Sequence, residues 1–288
     1  EAGGIALFMN GAQGGMVTAD NRDLDRPRDP LRGTWQGIST WDECLRIGQL
    51  MADEALRIRA CFTLAPSLTL SDLVRALHYY IQGYELALRA GDAHSVAVGT
   101  AVLGSFFANL GWGRAEVLLA RATELAKRVD TPEALGTAAY ARGLRAFMED
   151  DWVTALGELE DAHQQLVRVR DTVGVRYAAL MQIPTQLRYL DRFRELADRT
   201  ERIIADAQEV GNPYTEAAAL VDGAYASLAL GRPNEARNAT ASARAKVPGL
   251  AMYVRFASLT VDTLTELYQG RATRAHERIE SAWPGLRK

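Results

Sequence analysis

Residues 134–162 read "ALGTAAYARGLRAFMEDDWVTALGELEDA", and this stretch decides the fold. Two segments rich in Ala and Leu flank an acidic break at Glu149, Asp150 and Asp151. Each segment has the composition of a good helix former. Ala155 and Ala162 stand seven residues apart, about two turns of an α-helix, so they share one face. Gly143, Phe147 and Trp152 complete a small–aromatic–aromatic–small order across the break. The spacing predicts two helices folded back on each other, with small side chains letting the backbones approach.

The same arrangement repeats outward in both directions. Turn signals fall at Gly111, Asp151, Asp191, Gly231 and Gly270, at intervals of 40, 40, 40 and 39 residues. A second series lies between them at Asp92, Asp130, Asp171 and Asn212, at intervals of 38, 41 and 41. Two interleaved series with one period predict two helices per repeat. The Asp and Asn residues of the second series suit helix N-caps, where a side-chain oxygen accepts from a free backbone N–H. Pro132 and Pro233 fit the first helical turn. The seven-residue alanine pair recurs as Ala115/Ala122, Ala236/Ala243 and Ala275/Ala282. One repeat departs from this: it carries Leu196 and Ile203 at those positions, and its first helix contains Pro184, which predicts a kink or a break near Ile183. The expected fold is all-α, a right-handed α-solenoid of about five helical hairpins over residues 74–288.

These features resemble tetratricopeptide-type helical repeats with longer helices than usual. Residues from about 85 onward further resemble the helical-repeat region that follows the kinase and ATPase modules of large bacterial serine/threonine protein kinases. The phrases that carry this are "LLARATELAKRV", "ARGLRAFMEDDWVTALGELEDA" and "RIESAWPGLRK". The resemblance implies a regulatory or docking arm, without catalysis of its own.

Residues 1–58 do not share the beat. "GIALFMNG" reads as a short strand entering a glycine-rich loop, and "STWDECLRIGQLMADEALRI" as a helix, with Thr40 and Glu43 as a capping-box pair. "NGAQGGMVTADN" with "TWDECLRIGQLMADEAL" resembles a fragment of neutral ceramidase-like hydrolases, in which a serine of an N-x-G-D-x-S-P turn attacks an amide beside zinc. Gly14 keeps the motif's glycine, but Gly15 stands at its aspartate, Val17 at its serine and Thr18 at its proline. Thr18 is the one hydroxyl that could act as a shifted nucleophile. Catalytic zinc needs three protein ligands around an open position. His78, His94, His163 and His276 all fall in the helical part, with no pair at i, i+4. The composition shifts across 59–73, which is expected to be a linker; natural shuffling and a chimeric junction both account for it.

The rest of the composition narrows the function. With 33 basic and 36 acidic residues the net charge is −3, so nucleic acid is not an expected partner. Kinase HRD and DFG motifs are absent, and "GAQGG" lacks the lysine ending of a phosphate loop. Cys44 and Cys61 have no metal-ligand spacing and read as reduced thiols of a cytoplasmic protein. Ala93–Gly113 lacks Asp92's neighbours in charge, having no Asp, Glu, Lys or Arg, but its Ala, Gly, Ser and Thr content suits a buried helix better than a membrane span. Glu1 in place of Met suggests part of a longer protein. The expectation is therefore a scaffold that binds a protein or peptide on its concave face, without cofactor, metal or small-molecule ligand. Aligning repeats by the beat places Tyr140, Met181 and Val221 in one column and Leu144, Thr185 and Tyr225 in another. Tyr140, Tyr225 and Arg188 are the candidate groove residues. An amidase-type hydrolase using Thr18 is the alternative, and a chimera with no evolved function is a third.

Overall fold

The computed structural model describes residues 41–69, 72–169, 173–247 and 252–286, and these are all-helical. The helices are α1 (Trp41–Thr69), α2 (Leu73–Ala90), α3 (Ala93–Asn109), α4 (Arg114–Val129), α5 (Pro132–Met148) and α6 (Trp152–Leu166). The second half continues as α7 (Val173–Tyr189), α8 (Phe193–Glu209), α9 (Pro213–Ala229), α10 (Pro233–Lys246), α11 (Met252–Tyr268) and α12 (Ala272–Leu286). From α3 onward they form five hairpins on the expected beat, preceded by α1–α2.

One turn chemistry closes most of these helices. A residue with positive φ follows the last helical turn, and the next N–H reaches back five residues to a free carbonyl. Arg232 N donates to Ser227 O at 2.8 Å and Asp151 N to Ala146 O at 3.0 Å in this way. Gly111, Gly231 and Gly270 take the left-handed position at φ of 67°, 78° and 73°, and Asp191 takes it at 56°. In the α5–α6 turn the left-handed residue is Asp150 (φ 61°), which frees Asp151 to cap α6 by accepting from Thr154 N at 3.0 Å. Asp92 and Asn212 cap α3 and α9 as expected, accepting from His94 N at 3.1 Å and Thr215 N at 3.1 Å. Asp130 does not cap α5. It closes α4 in the left-handed conformation (φ 52°), and Thr131 accepts from Ala134 N instead. A short polar residue tolerates αL, so the aspartate serves the preceding helix and the hydroxyl the following one. Asp171 lies outside the described residues.

The helices form two layers. The first helices of successive hairpins, α3, α5, α7, α9 and α11, pack on each other, whereas each of α4, α6, α8, α10 and α12 packs on its neighbours in sequence. The layer of α3, α5, α7, α9 and α11, continuous across the repeats, is termed the inner layer. The close spacing comes from small residues: Ala115, Ala122, Ala155, Ala162, Ala236 and Ala243 are at most 1% exposed. A Cβ added at Gly143 would stand 2.9 Å from Leu159 Cγ and 3.3 Å from the Ala155 carbonyl. The uncharged α3 is buried continuously from Ala97 to Ser105, as its composition predicts for an inner helix.

Of the kink or break expected at Pro184, the break is absent: helix α7 runs through Pro184, with Ile183 and Leu187 fully buried on either side. Residues 59–69, expected within the linker, are helical and belong to α1, whose Ile58, Cys61 and Ala65 share a buried face. At 29 residues against the 18 of α2, α1 overhangs its partner and also touches α7. The strand and loop expected before residue 41, with Gly14, Gly15, Val17, Thr18 and Thr40, lie outside the described residues.

Candidate functional site

The inner layer brings two of the three groove candidates together. Arg188, near the end of α7, lies with its guanidinium carbon 4.3 Å from the centre of the Tyr225 ring on α9 and 5.3 Å from that of Tyr189. A planar cation over an aromatic face is attracted by the ring quadrupole, about 1–2 kcal/mol when partly desolvated. One helical turn before Tyr225 stands Asp222, only 2% exposed. Burial pushes its carboxyl up to about 7, against the opposing pull of Arg188's charge and a hydrogen bond donated by the Tyr253 hydroxyl of α11. Its Oδ1 has no hydrogen-bond partner among the described residues. The Asp222 charge, with burial, raises Tyr253 above the ordinary tyrosine range. Burial likewise raises Tyr225, which hydrogen-bonds with Thr260.

The cluster is therefore one guanidinium, one carboxyl and two tyrosine hydroxyls contributed by three inner helices. Tyr189 and Tyr253 keep it open to solvent, at 49% and 37% exposure. It offers donors from Arg188, an acceptor or donor at Asp222 according to its protonation, and flat aromatic faces. Such a set is chemically suited to hydrogen-bonding and stacking on polar, planar groups.

Tyr140 is placed elsewhere. Its ring packs against the cluster of Leu156, Leu159, Ile183 and Leu187 and against Ala139, Ala162 and Leu166, and burial pushes its hydroxyl up to about 12. It joins the α5–α6 and α7–α8 hairpins. Asp222 and Tyr253 were not singled out from sequence. The signal for Asp222 was there: one carboxylate in the otherwise apolar run "AAALVDGAYASLA" of α9. Tyr253 follows a stretch, 248–251, where the beat gives no turn signal.

The histidines do other work. His94 bridges α3 to the next hairpin through Thr131 Oγ1 at 3.0 Å and Glu133 Oε2 at 3.1 Å. The hydrogen bond to Glu133, against partial burial, raises its imidazole above the ordinary value. Among the described residues no three His, Cys, Asp or Glu side chains gather as a metal site, and no helix is long and apolar enough to cross a membrane. Cys61 is buried, and burial pushes its thiol up, away from reactivity. No family model matches the chain, and no curated protein matches its sequence.

Proposed function

We propose that the chain is a non-catalytic scaffold for protein–protein interaction: a right-handed, tetratricopeptide-like solenoid that works as a cytoplasmic docking arm of the kind attached to bacterial serine/threonine kinases. The supporting observation is the Arg188–Asp222–Tyr225–Tyr253 cluster. There a guanidinium lies against two aromatic rings, and beside it the buried Asp222 Oδ1 has no hydrogen-bond partner among the described residues. Partners are proteins or peptides laid along the inner layer, with neither nucleic acid nor cofactor required.

A peptide array probed with the wild type and with Arg188→Glu and Tyr225→Ala tests this. Peptides that bind the wild type should lose at least tenfold in affinity with either variant. Unchanged binding in both would remove the inner face from the function. Hydrolysis of a fluorogenic N-acyl amide that needs zinc and disappears in Thr18→Ala would instead favour the ceramidase-like reading.

A further inference from the structure

Each repeat shows what covers the side it turns to the next. The inner helices α3, α5, α7, α9 and α11 each have 17 residues. A left-handed residue stands two places beyond the end of each, at Gly111, Asp150, Asp191, Gly231 and Gly270. They can therefore be compared position by position. Ala217, Val221 and Leu228 of α9 pack on Val254, Ala257 and Val261 of α11. Those are the fifth, ninth and sixteenth positions of one inner helix against the third, sixth and tenth of the next. The outer helix forms the other wall of the groove: Leu159 of α6 packs with Ile183 and Leu187 of the following α7.

On the last hairpin the same positions are apolar and uncovered. The fifth position is Ala97, Gly136 and Ala217 on α3, α5 and α9, all buried, but Phe256 on α11. The thirteenth and sixteenth are buried or half-buried in every earlier inner helix, and on α11 they are the exposed Leu264 and Leu267. On the outer helices, the residue four beyond Ala115, Ala155, Leu196 and Ala236 is Leu119, Leu159, Thr200 and Thr240 in turn, each at most 6% exposed. Four beyond Ala275 it is Ile279. Phe256, Leu267 and Ile279 are 57%, 50% and 38% exposed. A capping repeat that closes an array turns a polar face outward. This end turns out an apolar one, so its groove has the character of the internal grooves before it.

We propose that the groove between α11 and α12 is a second docking site, separate from the Arg188 cluster, and takes an amphipathic helix of a partner protein. The chemistry of that helix follows from continuity with the array's own interfaces. Two of the earlier grooves are filled by a helix with small or β-branched apolar residues at i, i+3 or i+4, and i+7. These are Val254, Ala257 and Val261 on α11, and Ala134, Ala138 and Ala141 on α5. That is the anchor spacing of a helix laid in a groove. Phe256 takes up room that alanine or glycine leaves in the earlier grooves, so the alanine stripe of α5 fits this one better than the valines of α11.

A labelled peptide of residues 131–149, which carries that alanine stripe and the N-cap Thr131, is the probe. Fluorescence anisotropy on the full chain, taken to about 500 µM, should show dissociation in the range of tens to hundreds of micromolar, since one groove buries less than the roughly 1,200 Å² of a stable interface. Leu267→Glu and Ile279→Glu should each weaken binding about tenfold or more. Both sites are exposed, so helical circular dichroism and melting temperature should hold in these variants. Ala138→Glu in the peptide should abolish binding. Arg188→Glu should leave it unchanged, which separates this site from the inner-layer one. No binding, or binding indifferent to Leu267→Glu and Ile279→Glu, would overturn the proposal, as would binding lost only in Arg188→Glu. So would a wild-type dimer in sedimentation velocity that Leu267→Glu dissolves and the peptide does not displace; the occupant would then be a second copy of this chain.

Discussion

The hairpins from α3 to α6 and those from α9 to α12 follow the same beat but are held together differently. In the first group the buried polar side chains are the hydroxyls Thr100, Ser105 and Thr137, the buried contacts are mainly Ala, Gly and Leu, and the ion pairs His94–Glu133 and Arg142–Glu158 lie only half-buried at the edges. In the second, four carboxylates are buried to 6% exposure or less: Glu216 and Asp222 on α9, Asp262 and Glu266 on α11. Asp262 accepts from Thr240 Oγ1 at 2.6 Å, Arg244 Nη1 at 2.9 Å and Arg278 Nη1 at 3.2 Å. Glu266 faces Arg237 at 3.3 Å and Arg271 at 2.7 Å. The period of a repeat fold is thus set by helix length and turn chemistry, while the material of each seam is free to vary. The core of an alanine seam is fixed mainly by volume. A carboxylate seam adds dependence on charge.

The largest effect should come from filling the alanine seam. Gly143→Val puts branched carbons against Leu159 and the Ala155 carbonyl, neither of which can retreat far. Overpacking of a tight core costs typically 1–3 kcal/mol, and about 3 is expected here because a backbone atom is involved. Urea denaturation measures it. Because each repeat depends on its neighbours, hydrogen exchange should accelerate through α5–α8 and much less in α11–α12. Uniform acceleration would show that the array behaves as one unit and that the two seams are not separable.

Asp262→Ala makes the converse test. It strands Arg244 and Arg278, but these are about two-fifths exposed and can recover water, so the loss should fall below the 3–5 kcal/mol of a fully buried pair, at about 2. Loosening should be confined to α10–α12. Arg57→Ala, which removes an exposed contact with Glu54 at 3.6 Å, should change stability by less than about 0.5 kcal/mol. Equal losses from both would sink the distinction between a buried carboxylate seam and surface ion pairs.

Asp222 makes the second group respond to pH. Its folded value, about 7, lies above the ordinary 3.8, so the folded chain holds a proton there that the unfolded chain has released. Stability from this group is complete below about pH 4 and declines as pH rises toward 7. A shift of that size corresponds to no more than about 4 kcal/mol. Asp222→Asn should gain up to that amount at pH 8, flatten the decline between pH 4 and 7, and leave α3–α6 unaffected. An unchanged pH profile would show that Arg188 keeps Asp222 ionised throughout.

How much of this was legible in the sequence follows from what repeats. The beat, the alanine pairs and the glycine closures are local and periodic, so position alone reveals them. Asp130 and Asp150 were harder, because an aspartate serves equally as a left-handed closure and as a cap. The choice depends on whether a second capping residue, Thr131 or Asp151, follows it. Arg188 and Tyr225 could be chosen from their columns. Their pairing with Asp222 and Tyr253 could not, since it depends on how far long side chains reach between inner helices. At Pro184 a kink or a break was expected, and the helix is unbroken because burial of Ile183 and Leu187 outweighs one lost backbone hydrogen bond.

That same helix carries the smallest test, and one of opposite sign. Gln186 is fully buried, and neither Oε1 nor Nε2 has a hydrogen-bond partner among the described residues. Counted from the closing residues Asp150, Asp191 and Gly231, the position is Arg145 one repeat before and the buried Ala226 one after. The amide therefore fills volume in the one hairpin that replaced its alanines with Leu196 and Ile203, and it does so at the cost of two unsatisfied polar atoms. Methionine has nearly the same length and flexibility and no such atoms. Gln186→Met should stabilise the chain by about 1 kcal/mol, since an orphaned buried polar group costs roughly that much or more. Thermal melting with a Gln186→Ala control separates the two contributions: alanine loses volume, methionine keeps it. If methionine destabilises as much as alanine does, the amide is bonded in solution, and the α7–α8 hairpin joins the polar seams and not the apolar ones.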